Sequence, residues 1–400
     1  MTAILTEDAS LIGAMRILIA TRLFVPESGV AAVRLAALAR EFVARGHTVE
    51  VVTSTPPRGL SAADETGMTV RRWPVLRDRS GAVRGYVSYL SFDVPLFFRL
   101  LAASRPDALV VEPPPTTGTV VRWVARLRRI PYVYYAADIV SDAAAQAGVP
   151  AVVVAAVRWM ESRALRRAAR VLAVSSVFAQ RVRELGASPE RVVEIGNGAD
   201  TDIFCHAGPR EVSELPYALY AGTASDAHGA EIFVDAIAQV DGVRLVFLGS
   251  GSRFDAIAAK ARLLDPGKVT ILAPVSPREA ATWLRGATVA LSSAAPSTHG
   301  RAAYPFFPAK LHAAVATGTP VLHAGGGGGA AFAEEAPLGS AVPYDADAIA
   351  EAMRRLTAEP ASDADRAALA DWAASRVALT AVAKVAADAV ERATPSAMRG

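Results

Sequence analysis

Four hundred residues exceed the size at which one hydrophobic core stops growing, and 52% hydrophobic residues supply material for two. The net charge is only +3, and basic residues such as Arg71, Arg72, Arg77, Arg79 and Arg84 are interleaved with acidic ones, which excludes a nucleic-acid-binding stripe. A single cysteine, Cys205, excludes an intrachain disulfide and cannot alone make a thiolate metal site, and the longest strongly apolar run, 149–157, is too short to span a bilayer. A cytoplasmic location is therefore the default expectation. Residues 1–14 contain Glu7 and Asp8 and lack the pattern of a signal peptide, so a disordered extension is expected there.

Apolar patterning predicts a strand over 15–20, an amphipathic helix over 30–45 closed by a left-handed cap at Gly46, and a strand over 48–53. Strand, helix, strand at this spacing is a βαβ unit and implies a parallel sheet. The alternation continues with strands at 108–111, 132–136, 171–175 and 191–195 and helices at 119–129, 152–169 and 177–185. After Asn197-Gly198 and a polar stretch over 206–215 it restarts, with strands at 217–220, 244–248, 269–272, 288–292 and 320–323 and helices at 231–239, 277–284 and 310–317. The reading is α/β: an N-terminal Rossmann-like domain over 15–205, a C-terminal one over 206–362, and an amphipathic helical tail over 363–400 that can pack back on the first domain.

Ligands bind doubly wound domains at the carboxyl ends of the strands. The loop Phe24-Val25-Pro26-Glu27-Ser28-Gly29 follows the first strand there, and a plain βα turn accounts for it as well as an anion site does. A richer signal is Phe306-Phe307-Pro308-Ala309-Lys310-Leu311, leading through Gly318-Thr319-Pro320-Val321 to five glycines at 325–329. It reads as a loop opening a helix, a buried strand, and a second loop whose backbone can approach a ligand closely. Helix N-termini and glycine backbones offer free N–H groups, which suits a nucleoside diphosphate. Lys310, in the first helical turn, is electrostatically misplaced unless an anion sits beside it; a solvated helix lysine is the alternative. No G-x-G-x-x-G fingerprint follows the first strand, which argues against an NAD-dependent oxidoreductase. The acidic pairs Asp345/Asp347 and Asp363/Asp365 each precede a helix, so capping explains them and no metal site is assigned.

Further motifs complete the pattern: Arg45-Gly46-His47-Thr48-Val49, Asp138-Ile139-Val140, Ile195-Gly196-Asn197-Gly198-Ala199-Asp200, Tyr220-Ala221-Gly222, His228-Gly229 and Phe247-Leu248-Gly249-Ser250-Gly251. Jointly with the Lys310 segment they resemble glycosyltransferase family 4, retaining enzymes of the GT-B fold, from Met15 to about residue 356. The resemblance implies an enzyme that needs no metal or other cofactor. Its C-terminal domain would hold a nucleotide sugar, a UDP- or GDP-sugar. Its N-terminal domain would receive the acceptor, a small natural product or a lipid-linked glycan, in the cleft. Carried over residue by residue, the donor side comprises Gly29, Gly222, Thr223, His228, Gly249, Gly251, Arg301, Lys310 and Leu311, with the main chain at Val275 meeting the base. Asp138 is the candidate base or acceptor-binding group; a helix N-cap is its competing role. Membrane association would be peripheral at most, at the inner face, and a homodimer is open.

Several departures matter. The family commonly carries two glutamates where this chain has Pro305 and Ala313, and Thr223 and His228 stand near the place of a frequent Arg and Lys. Ala137 occupies the place of a histidine or arginine. His228 either donates to phosphate when protonated or caps the following helix. The missing carboxylates motivate a second reading, a catalytically silent GT-B protein that activates or scaffolds another enzyme.

Overall fold

Ile17, Leu18, Ile19 and Ala20 are each at most 1% exposed, as expected of a strand covered on both faces. The computed structural model describes residues 13–27, 29–60, 65–78, 83, 85–296 and 309–394. The chain divides into two compact units, Met1–Ile195 with Ala383–Gly400, and Gly196–Val382.

The first unit runs β1 (Arg16–Ala20), α1 (Val30–Ala44), β2 (Thr48–Ser54), β3 (Met68–Trp73), α2 (Tyr86–Ala102), β4 (Ala108–Val111), α3 (Pro115–Arg128), β5 (Tyr132–Ala136), α4 (Val140–Gln146), α5 (Ala151–Arg167), β6 (Arg170–Ala173), α6 (Ser176–Glu184) and β7 (Val192–Glu194). Its seven strands are all parallel, in the order β3-β2-β1-β4-β5-β6-β7. Helix α1 stops at Gly46, whose φ of 81° is open to glycine; Gly46 N–H donates to the Val43 carbonyl and His47 N–H to that of Phe42.

The second unit repeats the scheme with β8 (Tyr217–Ala221), α7 (Ile232–Ile237), β9 (Arg244–Leu248), α8 (Phe254–Ala261), β10 (Val269–Leu272), α9 (Pro277–Gly286), β11 (Val289–Ser293), α10 (Lys310–Ala316), β12 (Val321–Ala324), α11 (Gly328–Glu335), β13 (Gly339–Val342), α12 (Ala346–Ala358) and α13 (Asp363–Arg376). The strand order is β10-β9-β8-β11-β12-β13, all parallel. Successive strand residues serve opposite faces. Tyr220 and Phe247 join Phe233, Ile349 and Met353 on one side, while Leu219 and Val246 join Leu311, Val315 and Leu369 on the other.

The helical tail breaks at Val377 before α14 (Leu379–Glu391), and residues from Ala383 onward belong to the first unit. There Arg45 bridges Asp388 at 2.6 Å and Glu391 at 2.9 Å. Buried His47 accepts from Met15 N–H through Nδ1, so its proton sits on Nε2 and is donated to Glu391 at 2.8 Å. The acidic pairs ahead of helices act as caps: Asp345 accepts from the N–H groups of Asp347 and Ala348, and Ser362 forms a capping box with Asp365. Among the described residues no helix is long and apolar enough to cross a membrane.

Candidate functional site

In each sheet the chain steps outward to one edge and then returns to start the other half, leaving a crevice where the order reverses. In the second unit this point lies between β8 and β11. Gly222 follows β8 directly, and Lys310 opens the helix after β11. Lys310 Nζ donates to the Thr223 carbonyl at 3.3 Å and stands 3.6 Å from the centroid of the Tyr220 ring. Its partners among the described residues are that carbonyl and that ring, and neither is an anion. Burial of the half-buried side chain pulls its pKa well below the ordinary lysine value.

The loops around Lys310 are built on close backbone approach. A Cβ on Gly249 would stand 2.2 Å from the Gly222 carbonyl oxygen, and one on Gly251 would stand 2.1 Å from that of Ala224. Only glycine fits either place, and the φ angles of 149° and 145° require it independently. The Gly222, Ala224 and Gly249 N–H groups donate to the carbonyls of Leu248, Ser250 and Leu272. These residues therefore contribute space and carbonyl orientation, not free donors.

Two histidines border this crest, and both are neutral. The Ser225 N–H can only donate, so His228 Nδ1 accepts it at 3.1 Å and the ring proton belongs on Nε2. Burial, with Lys310 nearby, depresses the His228 pKa to about 3, which removes the protonated donor from consideration. The N-cap residue of α7 is Glu231, and His228 Nδ1 bonds back to Ser225. His323, on β12, contacts the Gly326 carbonyl and the Ser292 hydroxyl, and burial brings its pKa to about 4. A Cβ on Gly329 would lie 2.4 Å from the His323 ring, so that glycine accommodates the imidazole. Sequence reading missed His323, which is an apolar-looking strand position next to the glycine run.

Other donor-side residues fall out differently. Val275 lies in the loop after edge strand β10, on the same strand-end side, partly buried against the core. Leu311 is fully buried in the core, so its side chain is not presented to the loops. Arg301 and Pro305 lie outside the described residues; Ala313 is half-buried on α10.

In the first unit the reversal lies between β1 and β4. Buried Glu112, just after β4, accepts from Thr21 Oγ1 at 2.7 Å and pairs with buried Arg34 at 3.5 Å. Desolvation raises its pKa despite both partners. Gly29 is the N-cap of α1 with an ordinary φ of −69°, and a Cβ there would meet only Leu23, so glycine is not sterically demanded. The loop before it is tethered from outside: Arg72 donates to the Val25 carbonyl at 2.7 Å, and Arg77 forks onto Glu27 at 3.0 Å.

Asp138 follows β5 and precedes α4, whose N-cap residue is Ile139. The first turn of α4 is capped instead by Glu161 of α5. Its carboxylate accepts from Val140 N–H at 2.9 Å, Ser141 N–H at 3.3 Å and Ser141 Oγ at 2.5 Å. Glu161 is 1% exposed, and burial pushes its pKa up to about 7 against these bonds. Asp138 is exposed as a residue, while desolvation of its carboxyl raises the pKa to about 6, with the Ile139 N–H and Arg34 opposing. Asp142 is committed to Arg181, at 2.5 and 2.7 Å.

Residues 29–198 match the family described as Glycosyl transferase 4-like domain, and residues 216–359 match Glycosyl transferases group 1. No curated protein matches the chain. Among solved structures, the sucrose-phosphate synthase of Thermosynechococcus elongatus superposes with a TM-score of 0.72 at 19% identity, covering 94% of this chain and 98% of that one. Anabaena Alr3699/HepE, in complex with UDP and glucose, gives 0.65 at 17% identity over 94% and 98%. WaaG, a glycosyltransferase involved in lipopolysaccharide biosynthesis, gives 0.66 at 18% over 94% and 99%. The paired Rossmann-like sheets are those of the GT-B fold.

Proposed function

Starting from a glycosyltransferase of the GT-B type, we propose that this chain is a retaining enzyme that transfers a sugar from a nucleoside diphosphate to a small-molecule or lipid-linked acceptor without a metal. The observation that carries the donor half is Lys310, a desolvated ammonium at the reversal point of the second sheet, with a carbonyl and an aromatic face for partners. A cation in that state gains most from an incoming diphosphate, and in a water-poor crest it stabilises charge growing on the leaving phosphate. With His228 and His323 neutral, Lys310 is the group at this crest whose cationic form an incoming diphosphate would restore. UDP is the first nucleotide to test, because Alr3699/HepE is complexed with UDP-glucose.

On the acceptor side, Asp138 stands at the end of β5 with its pKa raised to about 6, and it is the carboxylate we assign to the acceptor hydroxyl. Transfer with retention asks mainly for positioning and charge stabilisation, with the departing diphosphate sharing the proton. A weak base such as Asp138 suffices. The test is a thermal-shift and calorimetric panel of UDP, GDP and dTDP, followed by transfer assays with the matching sugars and NMR of the product anomer. Ligand at 100 times its Kd adds about 2.7 kcal/mol of stability, easily seen. Failure of the folded protein to bind any of the three ends the reading. Inversion of the anomer, or loss of turnover in EDTA, ends its finer parts.

Ala313, in place of a family glutamate, favours one alternative, a nucleotide-binding protein without turnover that acts on a partner enzyme. Sugar transfer by the isolated protein removes it.

A further inference from the structure

Helices α2 and α3, with α5 beneath, leave a groove of about 430 Å³ in the first unit, lined by Leu90, Val94, Phe97, Phe98, Val120 and Met160. Its volume suits a drug-sized molecule. Leu90, Val94 and Phe98 recur every fourth residue along α2 and are 52%, 55% and 64% exposed, an apolar rim left open to solvent. Asp93 also lines the groove, although it is only 2% exposed. Its Oδ1 accepts from Thr117 Oγ1 at 2.6 Å, whereas Oδ2 has no hydrogen bond of acceptable geometry among the described residues. Burial raises the Asp93 pKa, with Thr116, Thr117 and Arg22 pulling the other way. A buried carboxylate oxygen without a donor is costly, and here it lies beneath an apolar groove beside the Thr116 hydroxyl, which also lacks a hydrogen bond of acceptable geometry among the described residues. The groove flanks the first turns of α3, at the strand-end side of the first sheet where acceptor-side chemistry is assigned.

We propose that this groove binds an apolar molecule carrying one hydrogen-bond donor, a hydroxyl or ammonium, with Asp93 Oδ2 accepting the donor and the α2 rim covering the apolar part. Resting on the function proposed above, this occupant is the apolar moiety of the sugar acceptor. The enzyme is then directed to amphipathic acceptors with a neutral or cationic polar group, and acceptors with a carboxylate at that position are rejected.

The full-length protein is titrated with 1-octanol, octylamine and octanoate, probes that share a tail and differ in head group, and followed by NMR and thermal shift. Octanol and octylamine should saturate and bind at least about tenfold more tightly than octanoate, which brings a second acceptor against Oδ2. Asp93→Asn keeps an acceptor for Thr117 and turns the inner atom into a donor, so the preference should reverse toward octanoate. Val94→Glu, on the exposed rim, should weaken octanol and octanoate by at least about tenfold with an unchanged circular dichroism spectrum. Equal binding of the three probes, or an Asp93→Asn variant that folds and keeps the original order, overturns the proposal and leaves a solvent-filled apolar groove. Sedimentation with phosphatidylcholine vesicles without saturable probe binding overturns it in favour of a membrane-facing surface. UDP binding is measured on the same samples. Lost probe binding with intact UDP binding sinks this inference alone, and the converse sinks only the assignment of the occupant as acceptor.

Discussion

The two sheets share a strand order through their first six strands, yet their strand-end loops carry opposite kinds of titratable group. In the second unit Lys310, His228 and His323 are all pushed toward losing protons. In the first, Glu112, Asp138, Glu161 and Asp93 are all pushed toward keeping them. The leading cause is the same in every case: desolvation penalises whichever form is charged. One architecture thus yields a crest that favours an arriving anion and another whose carboxyls are pushed toward holding their protons. The specialisation lies in a few side chains and not in the topology.

Breaking the second crest should have the largest effect. Gly249→Val drives a Cβ to within 2.2 Å of the Gly222 carbonyl oxygen, where no flexible side chain can yield. It should cost about 3 kcal/mol or more and abolish nucleotide binding, read by denaturant melts and calorimetry. Asp138→Asn, in the first unit, should lower turnover by about 100-fold while nucleotide affinity is unchanged. With the wild-type carboxyl titrating at about 6, activity should fall as pH drops through that value, and the variant should lose this acid limb.

Lys310→Ala should weaken UDP binding by about 10- to 30-fold and leave the fold intact. The fold disfavours the ammonium form, and a diphosphate restores it. Nucleotide binding should therefore take up a proton and weaken as pH rises through the alkaline range below 10.5. Calorimetry in buffers of different ionisation enthalpy reads that proton, and Lys310→Ala should abolish the uptake. The smallest effect is expected at Glu161. Its carboxyl titrates at about 7 in the fold against 4.5 as a free group, so the folded state binds more protons between those values and stability declines as pH rises across them. Glu161→Gln should flatten that slope and, by losing acceptors for the first turn of α4, cost about 1 kcal/mol at neutral pH.

Strand β3 illustrates why part of the fold was illegible. Its sequence, Met68-Thr-Val-Arg-Arg-Trp73, lies at the sheet edge with alternate residues exposed, so Arg71 and Arg72 read as surface charge. The structure uses Arg72, with Arg77 beyond the strand, to hold the loop after β1. Glu161 was equally hidden. On a helix with charged neighbours it looks like a solvated residue, and only the return of α5 beneath α4 makes it a cap. Lys310 and the glycines of the second unit were visible, because a misplaced charge and backbone that tolerates no Cβ are local anomalies. That the Gly222 N–H is already engaged was not legible, since its partner, the Leu248 carbonyl, belongs to the neighbouring strand.

By itself the sequence determined the paired doubly wound sheets, because the period of apolar residues and the punctuating glycines act over a few residues. It also placed Lys310 and Asp138 at strand-end positions. Tertiary structure alone decided their chemical states. It made His228 and His323 neutral, gave the helix cap to Glu161, and left Asp93 Oδ2 without a hydrogen bond of acceptable geometry among the described residues. Protonation and hydrogen-bond satisfaction depend on which atoms exclude water around a group, and those atoms come from segments far apart in the chain.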